Sequence, residues 1–189
     1  MSRRWLLVAI AWSIPALAQE NIWASVRTDW KRLGRDYAET ALEAPQEKSI
    51  IQLLKSLPSP WGCSEDEGQW LKSLRYTFLP LASKKQIVLV EAGPSCASGA
   101  QNHAMWLIRF DRQNPILLVG EEQGFGGLFF AVAKKTSKGY RDVILRWHNS
   151  AFDSGLTYFR FDGKVYHPLA SATLYSEDPL EIVPAKPAR

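Results

Sequence analysis

Hydrophobic and polar residues follow two different periods along the chain, a helical one near the start and an alternating one after it. The first period recurs every three or four residues and predicts an amphipathic helix. Its apolar positions are Trp23, Val26, Trp30, Leu33, Tyr37 and Ala41. A second, shorter helix is predicted between Pro45, which suits a first turn, and Pro58, which ends it. Its apolar positions are Ile50, Leu53, Leu54 and Leu57.

From Tyr76 onward the pattern alternates between apolar and polar residues, which is typical of antiparallel strands. The eight predicted strands are 76–81, 86–91, 105–110, 116–120, 128–133, 142–147, 156–161 and 164–169. The expected fold class is α+β, mainly β, with N-terminal amphipathic helices followed by an antiparallel β-sheet assembly. One domain is expected, with a helical segment at 19–60 and a β-rich body at 61–176. Three prolines in 177–189 predict a disordered tail.

Two stretches of the β-rich body resemble each other at an offset of just over 50 residues. Residues 85–90 and 106–111 match residues 141–146 and 157–162, and the second strand of each unit ends on Arg-Phe-Asp. Both units are predicted to run strand, polar loop, strand, turn, strand. We therefore expect two related β-repeat units within the sheet assembly.

The turn sequence Asp162-Gly163 sets the expected register of the second unit, because it favours a two-residue hairpin. One face of the sheet then collects the predicted core residues Val143, Leu145, Trp147, Phe159 and Phe161. The opposite face carries cationic, imidazole and phenol side chains, which can engage carboxylates or stack on sugar rings. The alternative is an ordinary solvated sheet face. This predicted binding row consists of Arg146, His148, Tyr158, Arg160 and His167.

The runs 139–145 and 158–166, with a polar loop between them, resemble a pattern in uncharacterised bacterial secreted proteins and, more loosely, the FG-GAP type of β-repeat. The resemblance covers about 30 residues and implies a β-repeat. It departs from that family where the family's repeat binds calcium, because no Asp-x-Asp-x-Asp-Gly loop is present. Asn149, Ala151 and Asp153 stand at the nearest spacing and offer too few oxygen ligands for calcium. No metal site and no cofactor is predicted.

The first eighteen residues have the pattern of a secretory signal peptide. Arg3 and Arg4 precede a short apolar run that ends on the small-x-small sequence Ala16-Leu17-Ala18. This run is too short to span a bilayer comfortably. The mature protein is therefore expected to begin near Gln19, to be periplasmic or secreted, and to keep no membrane span.

Export changes the net charge of the mature chain and the expected oxidation state of its cysteines. The net charge of the whole chain, +4, falls to +2 when Arg3 and Arg4 leave with the signal peptide. So small a charge, without a Lys/Arg block, argues against nucleic acid as a partner. Cys63 and Cys96 are predicted to form one disulfide in an oxidising compartment, since a catalytic thiol or half a metal site lacks the neighbours it needs.

Two functions remain open at this point. His148, Ser150 and Asp153 are the residue types of a hydrolytic triad, but they share one short loop without a nucleophile elbow, so ordinary turn polarity is favoured. The favoured function is an exported noncatalytic binding or interaction protein of the cell envelope, whose partner is a glycan, a peptidoglycan fragment or another protein. The alternative is a cell-envelope hydrolase with catalytic groups on distant loops.

Overall fold

The structure is a computed structural model that describes residues 22–23, 31–32, 38–58, 60, 63, 69–93, 102–175 and 181–184. The helix α1 spans Ala44–Lys55, and short 3-10 turns span Trp70–Ser73 and Glu121–Gln123. The strands are β1 Lys31–Arg32, β2 Leu74–Phe78, β3 Ile87–Ala92, β4 His103–Asp111, β5 Asn114–Val119, β6 Gly126–Gly127, β7 Phe129–Ser137, β8 Tyr140–His148, β9 Asp153–Phe161, β10 Tyr166–Tyr175 and β11 Glu181–Pro184. Among the described residues, no helix has the length and apolar character to cross a membrane.

The strands form two antiparallel sheets that join at a corner. The six-stranded sheet has the order β1-β7-β8-β9-β10-β11, and the five-stranded sheet has the order β2-β3-β4-β5 with β6 added to β4. Gly127 of β6 pairs with His103, and the chain then continues directly into β7 of the other sheet. Gly127 is needed at this corner because a Cβ there would lie 2.5 Å from the carbonyl oxygen of Arg146 in β8. The loops at this corner therefore belong to one end of both sheets.

Three apolar clusters hold the layers together. The central core lies between the sheets and includes Leu89, Leu107, Val143, Leu145 and Phe159. A second cluster lies between the five-stranded sheet and α1, whose Ile50 and Leu54 are buried. A third cluster lies on the outer face of the six-stranded sheet, under Trp23. Each sheet is thus buried on both faces over its central part.

The predicted mainly β fold is confirmed, and each of the eight predicted strands overlaps an observed one. The second predicted helix is confirmed as α1, with Pro45 in its first turn. Its apolar stripe packs as the spacing predicts, because residues three and four apart share one side of a helix.

The prediction of a continuous first helix is wrong at Lys31–Arg32. These residues form β1, which pairs with Phe129 and Phe130 of β7 and so satisfies backbone groups at the edge of the sheet. Residues 38–43 are also not helical. Residues 24–30 and 33–37 of the predicted helix lie outside the described residues.

The prediction of a disordered tail is wrong at Glu181–Pro184. These four residues form β11 and pair with 172–175 of β10, because the edge of β10 offers unpaired backbone groups to a segment that contains Ile182 and Val183. Residues 177–180 and 185–189 of the predicted tail lie outside the described residues.

The predicted register of the second unit is wrong by two residues. The turn spans Asp162 to Val165, because the Asp162 carboxylate accepts the backbone N–H groups of Lys164 and Val165. Phe161 therefore pairs with Tyr166, and Val143 pairs with Phe159 rather than with Phe161. An even shift leaves every side chain on its predicted face. Four of the five predicted core residues accordingly lie in the central core, and Trp147 is half-buried.

The two predicted repeat units correspond to β3–β4–β5 and β8–β9–β10, each a meander of three strands. Their shared Arg-Phe-Asp does not occupy equivalent places, because Phe110 belongs to the cluster under α1 and Phe161 belongs to the central core. A one-residue difference in register places the two phenylalanines on opposite faces.

The predicted disulfide involves one described cysteine. Cys63 is buried in the cluster under α1. Cys96 lies outside the described residues, as does the predicted signal peptide at 1–18, so both predictions stand as predictions.

Candidate functional site

The members of the predicted binding row share one face of the six-stranded sheet, the face turned away from the other sheet. Arg160 lies opposite His167 at one end of this face, and Arg146 lies opposite Leu156 toward the other end. Tyr158 lies between these two positions, opposite Ile144. The residues therefore form two separate groups rather than one row.

The predicted exposure of Tyr158 is wrong, because its side chain is 1% exposed. The indole of Trp23 meets its ring edge-on, with 6.3 Å between the ring centroids. Ile144 and Leu156, its apolar neighbours on the same face, are buried as well. Those two apolar residues were the signal in the sequence that this face is covered at its centre.

Tyr158 belongs to a buried polar network centred on Asp142, which is completely buried. The Tyr158 hydroxyl donates to Asp142 Oδ2 at 3.0 Å, and Arg160 Nε lies 3.5 Å from the same oxygen. Asp142 Oδ1 is buried without a hydrogen-bond partner. Burial and then the nearby Asp142 charge raise the pKa of Tyr158, so its phenol keeps the proton that it donates. This network holds β8 to β9, with Asp142 and Tyr158 buried and Arg160 partly exposed.

His167 lies beyond this network, at the exposed turn that ends the sheet. Its Nε2 is 2.9 Å from Asp162 Oδ2, and both side chains are about half exposed. Backbone hydrogen bonds from Val165 and Lys164 lower the pKa of Asp162 to about 2, and His167 adds to the effect. The carboxylate is thus occupied in shaping the turn.

Arg146 and His148 lie near the other end of the same face. The Arg146 guanidinium stands 4.8 Å from the centroid of the Phe129 ring, and burial lowers its pKa. The backbone of His148 is held by Asn102, whose side chain accepts from His148 N at 2.8 Å and donates to His148 O at 3.0 Å. Asn102 thereby fastens the loop before β4 to the end of β8.

In the loop after His148, Ser150 and Asp153, which are residue types of a hydrolytic triad, form a turn. Ser150 Oγ donates to Asp153 Oδ1 at 2.9 Å and accepts the backbone N–H groups of Phe152 and Asp153. These contacts agree with ordinary turn polarity. In the described part of the chain, no group of three or more His, Cys, Asp or Glu residues is placed to hold a metal ion.

A partly exposed surface lies on the opposite face of the same sheet, where β10 and β11 extend beyond the central core. Trp147 pairs with Gly155, Gly155 with Thr173, and Thr173 with Val183. Ser171 and Tyr175 lie two residues to either side of Thr173 on β10 and are exposed. We call this surface the open strip; it consists of Trp147, Gly155, Ser171, Thr173, Tyr175 and Val183.

Trp147 lies across Gly155 on the open strip. Three atoms of its indole are almost equally close to the place where a Cβ of Gly155 would be, so the ring faces the strand rather than pointing away from it. Any Cβ at this position would overlap the ring. The alternating pattern predicts Trp147 in the core, and it predicts no site at Tyr175 or Val183. The available signals were a glycine inside an apolar strand and the alternation of Ser171, Thr173 and Tyr175.

The same end of the molecule holds a charged cluster on the five-stranded sheet. Glu91 Oε1, in a side chain only 6% exposed, accepts from Arg75 Nη2 at 2.7 Å. His103 Nδ1 lies 3.9 Å from this oxygen and 3.2 Å from the carbonyl oxygen of Ala92. His103 also pairs with Gly127, whose Cα neighbours β8, so this cluster and the open strip belong to one end of the sandwich.

Comparisons with protein-family models, with curated proteins and with solved structures find no match to this chain.

Proposed function

We propose that this chain is an exported, noncatalytic binding protein of the cell envelope whose ligand binds on the open strip. One observation carries this proposal. The large hydrophobic side chains that are exposed among the described residues are Phe152, Tyr175 and Val183, and all three lie at the same end of the six-stranded sheet. Tyr175 and Val183 belong to the open strip, and Phe152 lies in the loop before β9. Exposed apolar side chains grouped at one end of a sheet mark an interaction site more often than scattered single residues do.

Export is supported by the sequence. The basic start, the short apolar run and the sequence Ala16-Leu17-Ala18 are typical of a signal peptide. A disulfide between Cys63 and Cys96 fits a protein that works in an oxidising compartment. The open strip then faces the periplasm or the medium, where glycans and envelope proteins are the available partners.

The predicted binding row supplies the natural control for this proposal. Its most exposed member, His167, lies at the far end of the same sheet, and its side chain is 58% exposed. A ligand on the open strip will therefore depend on Trp147 and Tyr175 and will not depend on His167.

A pull-down tests the proposal. Mature protein beginning at Gln19 is immobilised and incubated with envelope extract, and the retained material is identified by mass spectrometry of proteins and of released sugars. We expect retained material that is lost with the Trp147→Ala/Tyr175→Ala variant and kept with His167→Ala. Loss with His167→Ala alone would move the site to the predicted row, and equal retention by all three forms would contradict specific binding.

A further inference from the structure

The open strip combines flat apolar surface with hydroxyl groups at regular spacing. The Trp147 ring lies along the sheet over Gly155, and the Tyr175 ring, 41% exposed, lies on the same face one row further along. Ser171, Thr173 and Tyr175 place a hydroxyl on every second residue of β10. Rings that present an apolar face, next to polar groups that fix orientation, suit ligands that are themselves apolar on one side and polar at the rim.

The size of the open strip favours a small ligand over a folded protein as its partner. It covers four strands, about 14 Å across, and about 14 Å along β10, which is on the order of 200 Å² of sheet surface. A standard protein–protein interface buries about 800 Å² on each partner. The open strip is too small to anchor a folded partner by itself, and it matches the footprint of a short chain of sugar rings.

The composition of the open strip argues against a polyanion as its ligand. None of its six residues is basic, and Asp153 lies opposite Tyr175 on the neighbouring strand. A phosphorylated or carboxylate-rich polymer would meet the Asp153 carboxylate and would find no compensating cation on the strip. An uncharged ligand meets no such penalty.

From this shape, size and charge, and resting on the proposed function, we infer that the ligand of the open strip is an uncharged β-linked oligosaccharide. Its rings stack on Trp147 and Tyr175, and its hydroxyl or acetamido groups hydrogen-bond to the hydroxyls of β10. In an extended β-linked chain, successive sugar rings lie in one flat ribbon. Such a ribbon can contact Trp147 in one row of paired residues and Tyr175 in the next.

Titration with defined sugars tests this inference. The probes are the β-1,4-linked tetramers of N-acetylglucosamine and of glucose, with a polygalacturonate oligomer as the charged comparison. Binding is followed by calorimetry and by the indole N–H signals in two-dimensional NMR, with Trp147 assigned from Trp147→Phe. We expect a neutral tetramer to bind and to shift the Trp147 indole signal.

Variants then locate the contact. Tyr175→Ala removes a side chain that is 41% exposed, and it should weaken binding of the tetramer about tenfold. His167→Ala should leave the affinity unchanged. Preference for the charged oligomer, or an affinity unaffected by Tyr175→Ala, would overturn the inference. Absence of sugar binding together with a protein partner lost on Trp147→Ala/Tyr175→Ala would overturn it while leaving the proposed function standing.

Discussion

At the residue scale, the polar side chains on the two faces of the six-stranded sheet differ in burial and in hydrogen bonding. On the outer face, the buried Asp142 carboxylate receives the Tyr158 phenol on one oxygen, and the partly exposed Arg160 guanidinium lies beside the same oxygen. On the open strip, the hydroxyls of Ser171 and Tyr175 are left to solvent. The first set stabilises the fold, and the second is available to a ligand.

Substituting two buried tyrosines compares the stabilisation from a hydrogen bond to a carboxylate with that from a hydrogen bond to a backbone carbonyl. Tyr158 donates to the Asp142 carboxylate, whereas Tyr166 donates to the carbonyl oxygen of Arg141 at 2.8 Å. Tyr158→Phe should lower the free energy of unfolding by about 1.5 to 3 kcal/mol, and Tyr166→Phe by about 0.5 to 1.5 kcal/mol. Urea denaturation of both variants measures the difference. Equal losses would show that Asp142 draws no special support from Tyr158.

Asp162 predicts a dependence of stability on acid. Its pKa is lowered to about 2 in the folded protein, below the ordinary value of 3.8, so it stabilises the fold above the ordinary pKa and loses that effect as the pH falls to about 2. Asp162→Asn keeps a carbonyl oxygen for the turn but removes the titration. The difference in melting temperature between wild type and this variant should therefore shrink between about pH 4 and pH 2. A difference that stays constant across this window would contradict the assignment.

At the element scale, the sequence predicted strands well and their ends and partners poorly. Alternation identified all eight strands because each has at least one buried face. The hairpin at Asp162 was placed wrongly because the side chain of Asp162 closes a wider turn than the dipeptide Asp-Gly suggests. Lys31–Arg32 and Glu181–Pro184 were missed because pairing with a distant strand edge leaves no periodic signal in so short a segment.

The candidate site was harder to predict for a related reason. Alternation placed Tyr158 and Trp147 on the correct faces. It could not show that Trp23 covers Tyr158 or that Trp147 lies half-buried beyond the central core. Both facts depend on which layer of the fold extends over which part of the sheet.

The packing of Trp147 on Gly155 is the local feature on which the open strip depends. Gly155→Ala should displace the indole and lower the free energy of unfolding by about 1 to 3 kcal/mol. In a Trp147→Ala background the same substitution should cost little, because the added methyl group then has room. Chemical denaturation of the four proteins in this cycle measures the coupling. Additive losses would show that the ring does not lie on Gly155.

At the scale of the whole molecule, the faces of the two layered sheets are buried in three apolar clusters. One end of the six-stranded sheet carries exposed apolar side chains. The residues that close the far end, including the turn at Asp162, are committed to internal hydrogen bonds. The asymmetry between the two ends favours a binding role at the end of the six-stranded sheet that carries the open strip.

Export and the disulfide are predictions about the mature chain as a whole. Intact mass spectrometry of protein recovered from its native host, without reductant, should give a chain that begins at or near Gln19. Its mass should be lower by the hydrogens lost when Cys63 and Cys96 are oxidised. A chain that begins at Met1, or two cysteines that react freely with an alkylating reagent, would contradict these predictions.

The most direct measurement of where this protein binds is amide hydrogen exchange of the mature protein with and without isolated envelope glycan. Slower exchange is expected in β10, in β11 and at the end of β8, where the open strip lies, with the turn at Asp162 unchanged. Protection confined to the turn at Asp162 or to α1 would contradict a binding site on the open strip, and no protection at all would contradict a glycan as its ligand.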